Sequence, residues 1–265
     1  IEVVNRRVTG EWFQAYVNPH REVDPEATTV GLLLVHPGAF PRIITTEVKR
    51  QAGLLGFEVT YIRRYPPSLK DFSSILEEIR EAGPQVLVAI GRIHNDLRFA
   101  QQLVHRPSSI KAVAVVAAPI QQFQEALGDA VEGFIGPSQW EPNGTYLHNY
   151  GPSAQDVLTS LRKRHQGDVD YPMAQAYAAG LVAQRCVEQA GTLEDQTLRE
   201  TASVLEFSTF YGRFRIDPVT GRQIGRSSLI VQWQMGRKFI LWPPEQRQAT
   251  LVYPWNVAVG PVPMV

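Results

Sequence analysis

The sequence predicts an α/β protein of two lobes, in which strands and helices alternate to form a doubly wound parallel sheet. The first four apolar runs typical of buried strands begin about 26–29 residues apart, and each gap carries a helical pattern. Parallel neighbouring strands require crossover connections of this kind. The chain has 265 residues, which is larger than one ordinary domain and sufficient for two.

Composition excludes several other classes of protein. Hydrophobic residues make up 44 % of the chain, which rules out disordered, collagenous and coiled-coil sequences. The 26 basic residues balance 26 acidic residues, so no basic field indicates nucleic-acid binding. No apolar run approaches the roughly 20 residues that span a bilayer. Cys186 stands alone, which excludes a disulfide framework and a cysteine-based metal site, and its apolar neighbours predict a buried helical thiol.

Five strands are predicted in the first half, and each is a short, mainly apolar run. They are Thr29–Val35, Glu58–Ile62, Val86–Ile90, Ala112–Val116 and Phe134–Pro137. The first connecting helix is predicted from about Pro41 to Leu55, with Gly56 at its C-terminal end. Gly83 and Pro84 end the second helix.

The second half opens with a block of helices at residues 145–205 that contains no convincing strand. Ser153 and Asp156 resemble a capping box at the start of the first helix. A longer helix is predicted over Pro172–Gly191 and a third over about Thr192–Leu205. Such helices either form a small bundle or cover a sheet whose strands come from elsewhere.

The tail returns to strands separated by turns that contain proline and glycine. The predicted strands are Phe214–Asp217, Leu229–Gln234 and Phe239–Trp242. The five prolines that follow Trp242 make a long helix there unfavourable.

Several stretches, taken in their order, resemble the type I periplasmic binding proteins. The pieces that carry the similarity are GFEVTYIRRYP (56–66), DFS (71–73), AGP (82–84), DAVEG (129–133), AYAA (176–179) and FYGRFRIDPVTG (210–221). Each piece alone is a weak signal, but their order and spacing over about 230 residues are fairly specific. The chain looks most similar to the branch that binds branched-chain amino acids and amides, the soluble receptors of ABC importers.

The resemblance implies two α/β lobes joined by three hinge crossovers, with a ligand held in the cleft between them. On this basis residues 18–139 form the second lobe, while residues 1–17 and 140–225 supply crossovers and a remnant of the first lobe. Residues 226–265 then return to the second lobe as C-terminal strands and end in a tail. The family's leading strands have no counterpart in this sequence, so the resemblance implies an incomplete first lobe.

The candidate ligand-binding residues follow from the rule that open α/β sheets bind ligands beyond the carboxyl ends of their strands. They are Phe40, Arg92, His94, Ala118, Trp140 and Tyr171. Phe40 matches a position where the family often has an aromatic residue, although it would also cap the next helix. Arg92 and His94 either anchor an anion or belong to a solvated loop. Trp140 suits ligand stacking and hinge packing equally, and Tyr177 is predicted to be core.

One stretch departs from the family pattern. Amino-acid receptors of this family usually have an acidic side chain near the end of the fourth strand, where it meets the ligand ammonium. Here the stretch reads Ala117, Ala118, Pro119. Because an unpaired buried ammonium is costly, an amide, a urea-like compound or an aromatic acid is at least as plausible a ligand as an aliphatic amino acid.

The sequence gives little support for catalysis. None of the six histidines pairs with the cysteine or lies at i, i+4 from another, and no G-x-S-x-G, P-loop or dinucleotide motif follows a strand. We therefore expect no catalytic residue, no metal ligand and no cofactor.

The expected function is that of an extracytoplasmic solute-binding receptor for an ABC importer. Its partners would be a small-molecule ligand and the transporter permease, with no nucleic acid and no membrane span in this chain. The protein would lie in the periplasm or outside the cell, with a lipid anchor in the full-length protein left open. The alternatives are a ligand-sensing regulatory module of the same fold, similar to amide sensors, and an α/β enzyme with an unrecognised site.

Overall fold

The computed structural model describes residue 24 and residues 26–103, 107–165 and 167–254, apart from the side chains at positions 39 and 40. The described residues fall into two compact units. We call residues 138–228 the helical unit, and residues 24–137 together with 229–254 the sheet unit. The lobe boundaries implied by the resemblance stay a prediction.

Seven strands form one sheet in the sheet unit. They are β1 (Thr29–Val35), β2 (Glu58–Tyr65), β3 (Val86–Ile90), β4 (Ala112–Val115), β5 (Ile135–Ser138), β8 (Leu229–Gln234) and β9 (Arg237–Trp242). Their order across the sheet is β2-β1-β3-β4-β5-β8-β9. The ladder from β2 to β5 is parallel, whereas β8 and β9 form an antiparallel hairpin. The sheet is therefore mostly parallel, as the alternation of strands and helices predicts.

Four helices connect the parallel strands. They are α1 (Ala39–Leu54), α2 (Ser73–Ala82), α3 (Ile93–Gln102) and α4 (Gln121–Leu127). The apolar face of α1, which includes Ile44 and Val48, packs against Leu32 and Leu34 of β1 in the main core. All five residues of β3 are buried, which explains why that strand is apolar throughout.

The strand predictions are confirmed at identical bounds for β1, β3 and β8. The strand β2 continues to Tyr65, past the predicted end at Ile62. Its last part contains Arg63 and Arg64, whose polarity ends the apolar pattern, yet both residues pair with β1. Because β2 lies at the edge of the sheet, its side chains can stay exposed while its backbone is paired.

The described residues of the helical unit form three helices and a short hairpin. The elements are α5 (Ala154–Arg162), α6 (Tyr171–Ala190), α7 (Asp195–Val204), β6 (Phe207–Thr209) and β7 (Gly212–Phe214). The capping box at the start of α5 is confirmed, because Ser153 Oγ accepts the Asp156 N–H at 3.2 Å and the Asp156 carboxylate accepts the Ser153 N–H at 3.3 Å. Cys186 is buried on α6, as predicted.

The predicted strand Phe214–Asp217 is wrong in its position. Strand β7 ends at Phe214, where the prediction began, and its partner β6 was not predicted. The Asp217 carboxylate accepts the N–H groups of Val219 and Thr220 at 3.1 and 2.8 Å, which bends the chain into a turn. Strands of three residues are too short to show the alternation from which strands are predicted.

Candidate functional site

Parallel strands of the sheet unit end side by side at one edge of the sheet. Leu34 of β1 lies opposite Ile90 of β3, and Ala89 of β3 lies opposite Val115 of β4. The loops that follow these strands therefore leave the sheet at the same edge, where α/β proteins bind ligands. We call this place the carboxyl edge, and it comprises residues 36–38, 91–96 and 116–120.

Arg92 and His94 lie at the carboxyl edge where α3 begins. Arg92 is the N-cap residue of α3, and its carbonyl accepts the N–H groups of Asn95 and Asp96, both at 2.9 Å. Both side chains are exposed, and neither forms an ion pair with any described residue. The backbone of this turn is thus fixed while its guanidinium and imidazole groups remain accessible. Ligand contact by Arg92 and His94 stays a prediction.

Asp96 carries the one fully buried carboxyl group of the carboxyl edge. Its side chain is only 1 % exposed, and Oδ2 accepts the Ala117 N–H at 3.1 Å. Burial raises the pKa of Asp96 well above its usual range, although the Ala117 and Gly91 N–H groups oppose this shift. The Gly91 N–H falls short of a full hydrogen bond, because Oδ1 has no partner of normal geometry among the described residues.

The carboxyl of Asp96 links the ends of two neighbouring strands. It bonds to Ala117, the second residue after β4, and packs against Gly91, the residue after β3. A Cβ atom at Gly91 would lie 2.2 Å from Asp96 Oδ1 and 2.8 Å from the Tyr65 hydroxyl, so only glycine fits. The sequence analysis did not identify Asp96 as a residue of the carboxyl edge. The sequence feature that could have indicated it is an acidic residue in the first turn of a helix that directly follows a buried strand.

Ala118 lies in the loop after β4, but its side chain is fully buried. Its carbonyl accepts the Trp233 Nε1–H at 2.8 Å, which attaches this loop to β8. The stretch from Ala117 to Pro119 contains no acidic residue, and the carboxyl that does reach it belongs to Asp96 and is bonded to the backbone. The described part of this loop therefore presents no exposed carboxylate.

Phe40 lies in the first turn of α1, next to the carboxyl edge. Its side chain is outside the described residues, so its predicted ligand contact stays a prediction.

Trp140 belongs to the aromatic cluster of the helical unit rather than to an open surface. The ring is fully buried, and Nε1–H donates to the Phe210 carbonyl at 3.1 Å. The rings of Tyr146 and Tyr211 stack on the indole, with centroids 6.1 and 6.5 Å away. Of the two roles considered for Trp140, this arrangement favours packing, because a ligand could reach the indole only after a neighbouring ring moved.

Tyr171 begins α6 and is partly buried against the same cluster. Burial raises the pKa of its phenol to about 12, with smaller contributions from nearby Tyr211, Asp170 and Glu141. Tyr177, one and a half turns further along α6, packs edge-on against Phe210 with centroids 5.7 Å apart, which agrees with its predicted core role. Trp140 and Tyr171 thus share one cluster, whereas Arg92, His94 and Ala118 share the carboxyl edge of the sheet unit.

The chain matches a known protein family over most of its length. The match to the family described as "Periplasmic binding protein" covers residues 13–238. None of the helices in the described part of the chain has the length and apolar character needed to cross a membrane.

Solved structures of solute-binding proteins share the fold. They include an amino acid ABC transporter substrate-binding protein from Pseudomonas fluorescens (17 % identity, TM-score 0.75) and a leucine binding protein from Thermotoga maritima (16 % identity, TM-score 0.74). Another is an ABC transporter solute binding protein from Rhodopseudomonas palustris in complex with benzoate (15 % identity, TM-score 0.72). The alignments cover 88–89 % of this chain but only 62–65 % of those chains, so this chain spans less than two thirds of their length. The family match and the mostly parallel sheet together place this chain in the periplasmic binding protein family.

Proposed function

We propose that this chain is the ligand-binding part of an extracytoplasmic receptor of an ABC importer, and that it binds a small carboxylic acid or amide at the carboxyl edge. The observation that carries the proposal is the turn at the start of α3. It holds Arg92 and His94 exposed and unpaired within the described chain, on a turn whose backbone is fixed by the hydrogen bonds from the Asn95 and Asp96 N–H groups to the Arg92 carbonyl. A receptor needs accessible polar groups on rigid support, because preorganisation reduces the entropy lost on binding.

The charges at this edge favour one class of ligand. A guanidinium binds a carboxylate through two parallel hydrogen bonds, and an imidazole can add a third donor. A ligand ammonium would need a carboxylate, but the only acidic side chain at the carboxyl edge is the buried Asp96. An aromatic acid or an amide therefore suits the site better than an aliphatic amino acid. The benzoate complex of the Rhodopseudomonas palustris protein is consistent with a carboxylic acid ligand.

Thermal unfolding in the presence of amino acids, amides and aromatic acids tests this function. A ligand at a hundredfold excess over Kd stabilises the folded state by about 2.7 kcal/mol, which raises the Tm measurably. Arg92→Ala should weaken the affinity for an active compound by about tenfold, as expected for the loss of a charge-assisted hydrogen bond. Arg199→Ala removes an exposed arginine of α7 and serves as the matched control, which should leave the affinity unchanged.

Two results would contradict the proposal. One is an unchanged Tm across the whole set of compounds, and the other is an active compound that Arg92→Ala binds as tightly as the wild type. Fractionation of the source cell tests the location separately, since recovery in the cytoplasm would favour a regulatory sensor of the same fold over an importer receptor.

A further inference from the structure

A pocket of about 330 Å³ opens in the sheet unit beside α1. Neither Arg92 nor His94 lines it. Its polar lining consists of Arg42, Thr45, Thr46, Lys49, Arg64 and His36. This volume is within the range of small-molecule pockets, which begins at about 300 Å³.

The lining of the pocket carries positive charge that no described acid balances. Arg42, Lys49 and Arg64 are exposed, and none of the three forms an ion pair within the described chain. No aspartate or glutamate is among the described residues that line the pocket. Three cations gathered around one cavity repel one another, so the arrangement favours a bound anion.

Two basic residues that adjoin the lining residues in sequence form ion pairs, in contrast to the residues that line the pocket. Arg50 follows Lys49 in the sequence and pairs with Glu47, while Arg63 precedes Arg64 and lies 3.6 Å from Glu78. In each of the pairs Lys49–Arg50 and Arg63–Arg64, one side chain forms an ion pair with a glutamate and the other lines the pocket. The unpaired state of Lys49 and Arg64 is therefore not a general property of this surface.

Local geometry explains why these cations converge. Arg42 and Lys49 are seven residues apart on α1, which places them on the same side of the helix. Arg64 lies opposite Leu34 in the β1–β2 ladder, and Leu34 belongs to the core beneath α1. Consequently Arg64 approaches the pocket from the sheet while Arg42 and Lys49 approach it from the helix.

The threonine hydroxyl groups of the lining already donate hydrogen bonds to backbone carbonyls. Thr45 Oγ1–H donates to the Pro41 carbonyl at 2.7 Å, and Thr46 Oγ1–H donates to the Arg42 carbonyl at 3.1 Å. An anion in the pocket would therefore take its side-chain hydrogen bonds from the three cations and from His36, which also lines it.

We propose that this pocket is a second binding site, for a small oxyanion that carries at least two negative charges. Phosphate and small dicarboxylates share this chemistry, because guanidinium groups bind both through paired N–H donors. A monocarboxylate would leave most of the cationic charge unbalanced and should bind weakly. His36 and Gly38 of the carboxyl edge line this pocket. The site nevertheless goes beyond the proposed receptor function, which depends on Arg92 and His94.

Isothermal titration calorimetry of the whole chain at constant ionic strength tests the site with three probes, namely inorganic phosphate, succinate and acetate. We expect at least one dianion to bind with one-to-one stoichiometry and acetate to bind at least tenfold more weakly. Arg64→Ala and Arg42→Ala should each weaken the dianion about tenfold, in line with the loss of one charge-assisted contact. Arg64→Lys keeps the charge and should lose less affinity than Arg64→Ala. The comparison of phosphate with succinate shows whether the site binds phosphate or a small dicarboxylate.

Arg80→Ala is the matched control, because Arg80 is an exposed arginine of the same unit that does not line the pocket. Equal affinity of the wild type and both alanine variants would overturn the proposal, as would an absence of heat with both dianions. Dianion binding without any solute response in the thermal experiment would contradict the receptor function and leave this site standing. The two proposals can therefore fail separately.

Discussion

At the scale of single residues, Gly91 and Asp96 depend on each other. The buried carboxyl of Asp96 occupies the space that a side chain at position 91 would need, and it also bonds to the backbone after β4. Both strand ends carry loops of the carboxyl edge. The position of Arg92, next to Gly91, therefore rests on a contact that only glycine permits.

Gly91→Ala should destabilise the fold. The added methyl group must displace the Asp96 carboxyl or shift the backbone, and overpacking of this kind costs roughly 1–3 kcal/mol. The free energy of unfolding in urea measures the effect. Gly53→Ala is the control, because position 53 lies in α1 with no atom within 4 Å of the added Cβ. That control should gain up to about 1 kcal/mol, since alanine favours a helix over glycine. Equal stabilities of the two variants would contradict the proposed contact.

The location of Arg92 and His94 could be predicted from the sequence, whereas the packing around Trp140 could not. The pattern of strands is enough to place Arg92 and His94 at the carboxyl edge, because a loop position follows from where a strand ends. The burial of Trp140 depends on nearby Tyr146 and on Phe210 and Tyr211. Phe210 lies 70 residues further along the chain. A single sequence gives no sign of such contacts.

At the scale of elements, side chains of β8 hold the C-terminal segment, residues 250–253, against that strand. Gln232 both donates to the Val252 carbonyl at 3.0 Å and accepts the Val252 N–H at 2.9 Å. Gln234 donates to the Thr250 carbonyl at 2.8 Å. These buried amides replace the backbone ladder that a further strand would supply, which explains why two glutamines lie in an otherwise apolar strand.

Asp24 attaches the same segment to the start of β4. Its carboxylate accepts hydrogen bonds from the Lys111 ammonium at 2.5 Å and from the Tyr253 hydroxyl at 2.6 Å. The hydrogen bond from Lys111, followed by that from Tyr253, lowers the pKa of Asp24 below its ordinary value of 3.8. This contact joins three parts of the chain that are far apart in sequence, so its loss should loosen all three.

The stability that Asp24 contributes should depend on pH in the acid range. A carboxyl whose pKa is lower in the folded state stabilises the fold fully above its unfolded pKa, and the contribution is lost as pH falls through the folded pKa. Asp24→Asn should therefore lower the free energy of unfolding at pH 7 by about 1–2 kcal/mol. The deficit of the variant should shrink as pH falls through the folded pKa of Asp24, which lies below 3.8. Urea unfolding at several pH values measures this, with Asp129→Asn as an exposed control. A deficit that stays constant down to pH 2 would contradict the titration of Asp24.

At the scale of the whole molecule, the alternation of strands and helices was sufficient to predict the parallel sheet, because a continuous apolar strand is stable only between two covering layers. The order of strands in the sheet was not predictable in the same way. The hairpin of β8 and β9 comes from the end of the chain and joins the sheet beside β5. Local patterns contain no information on such a long-range pairing, for which the family resemblance was needed.

The two units differ in how their elements are buried, and this difference should appear in hydrogen–deuterium exchange. Strand β3 has parallel neighbours on both sides and is buried along its whole length, so its amides can exchange only when much of the sheet unit opens. Helix α7 of the helical unit has no buried residue, and its backbone bonds can open locally. We therefore expect the amides of Val86–Ile90 to exchange slowest and those of Asp195–Val204 to exchange much faster, as measured by mass spectrometry of peptides from the two elements. Similar protection of both would mean that α7 is covered by a partner or by another part of the chain.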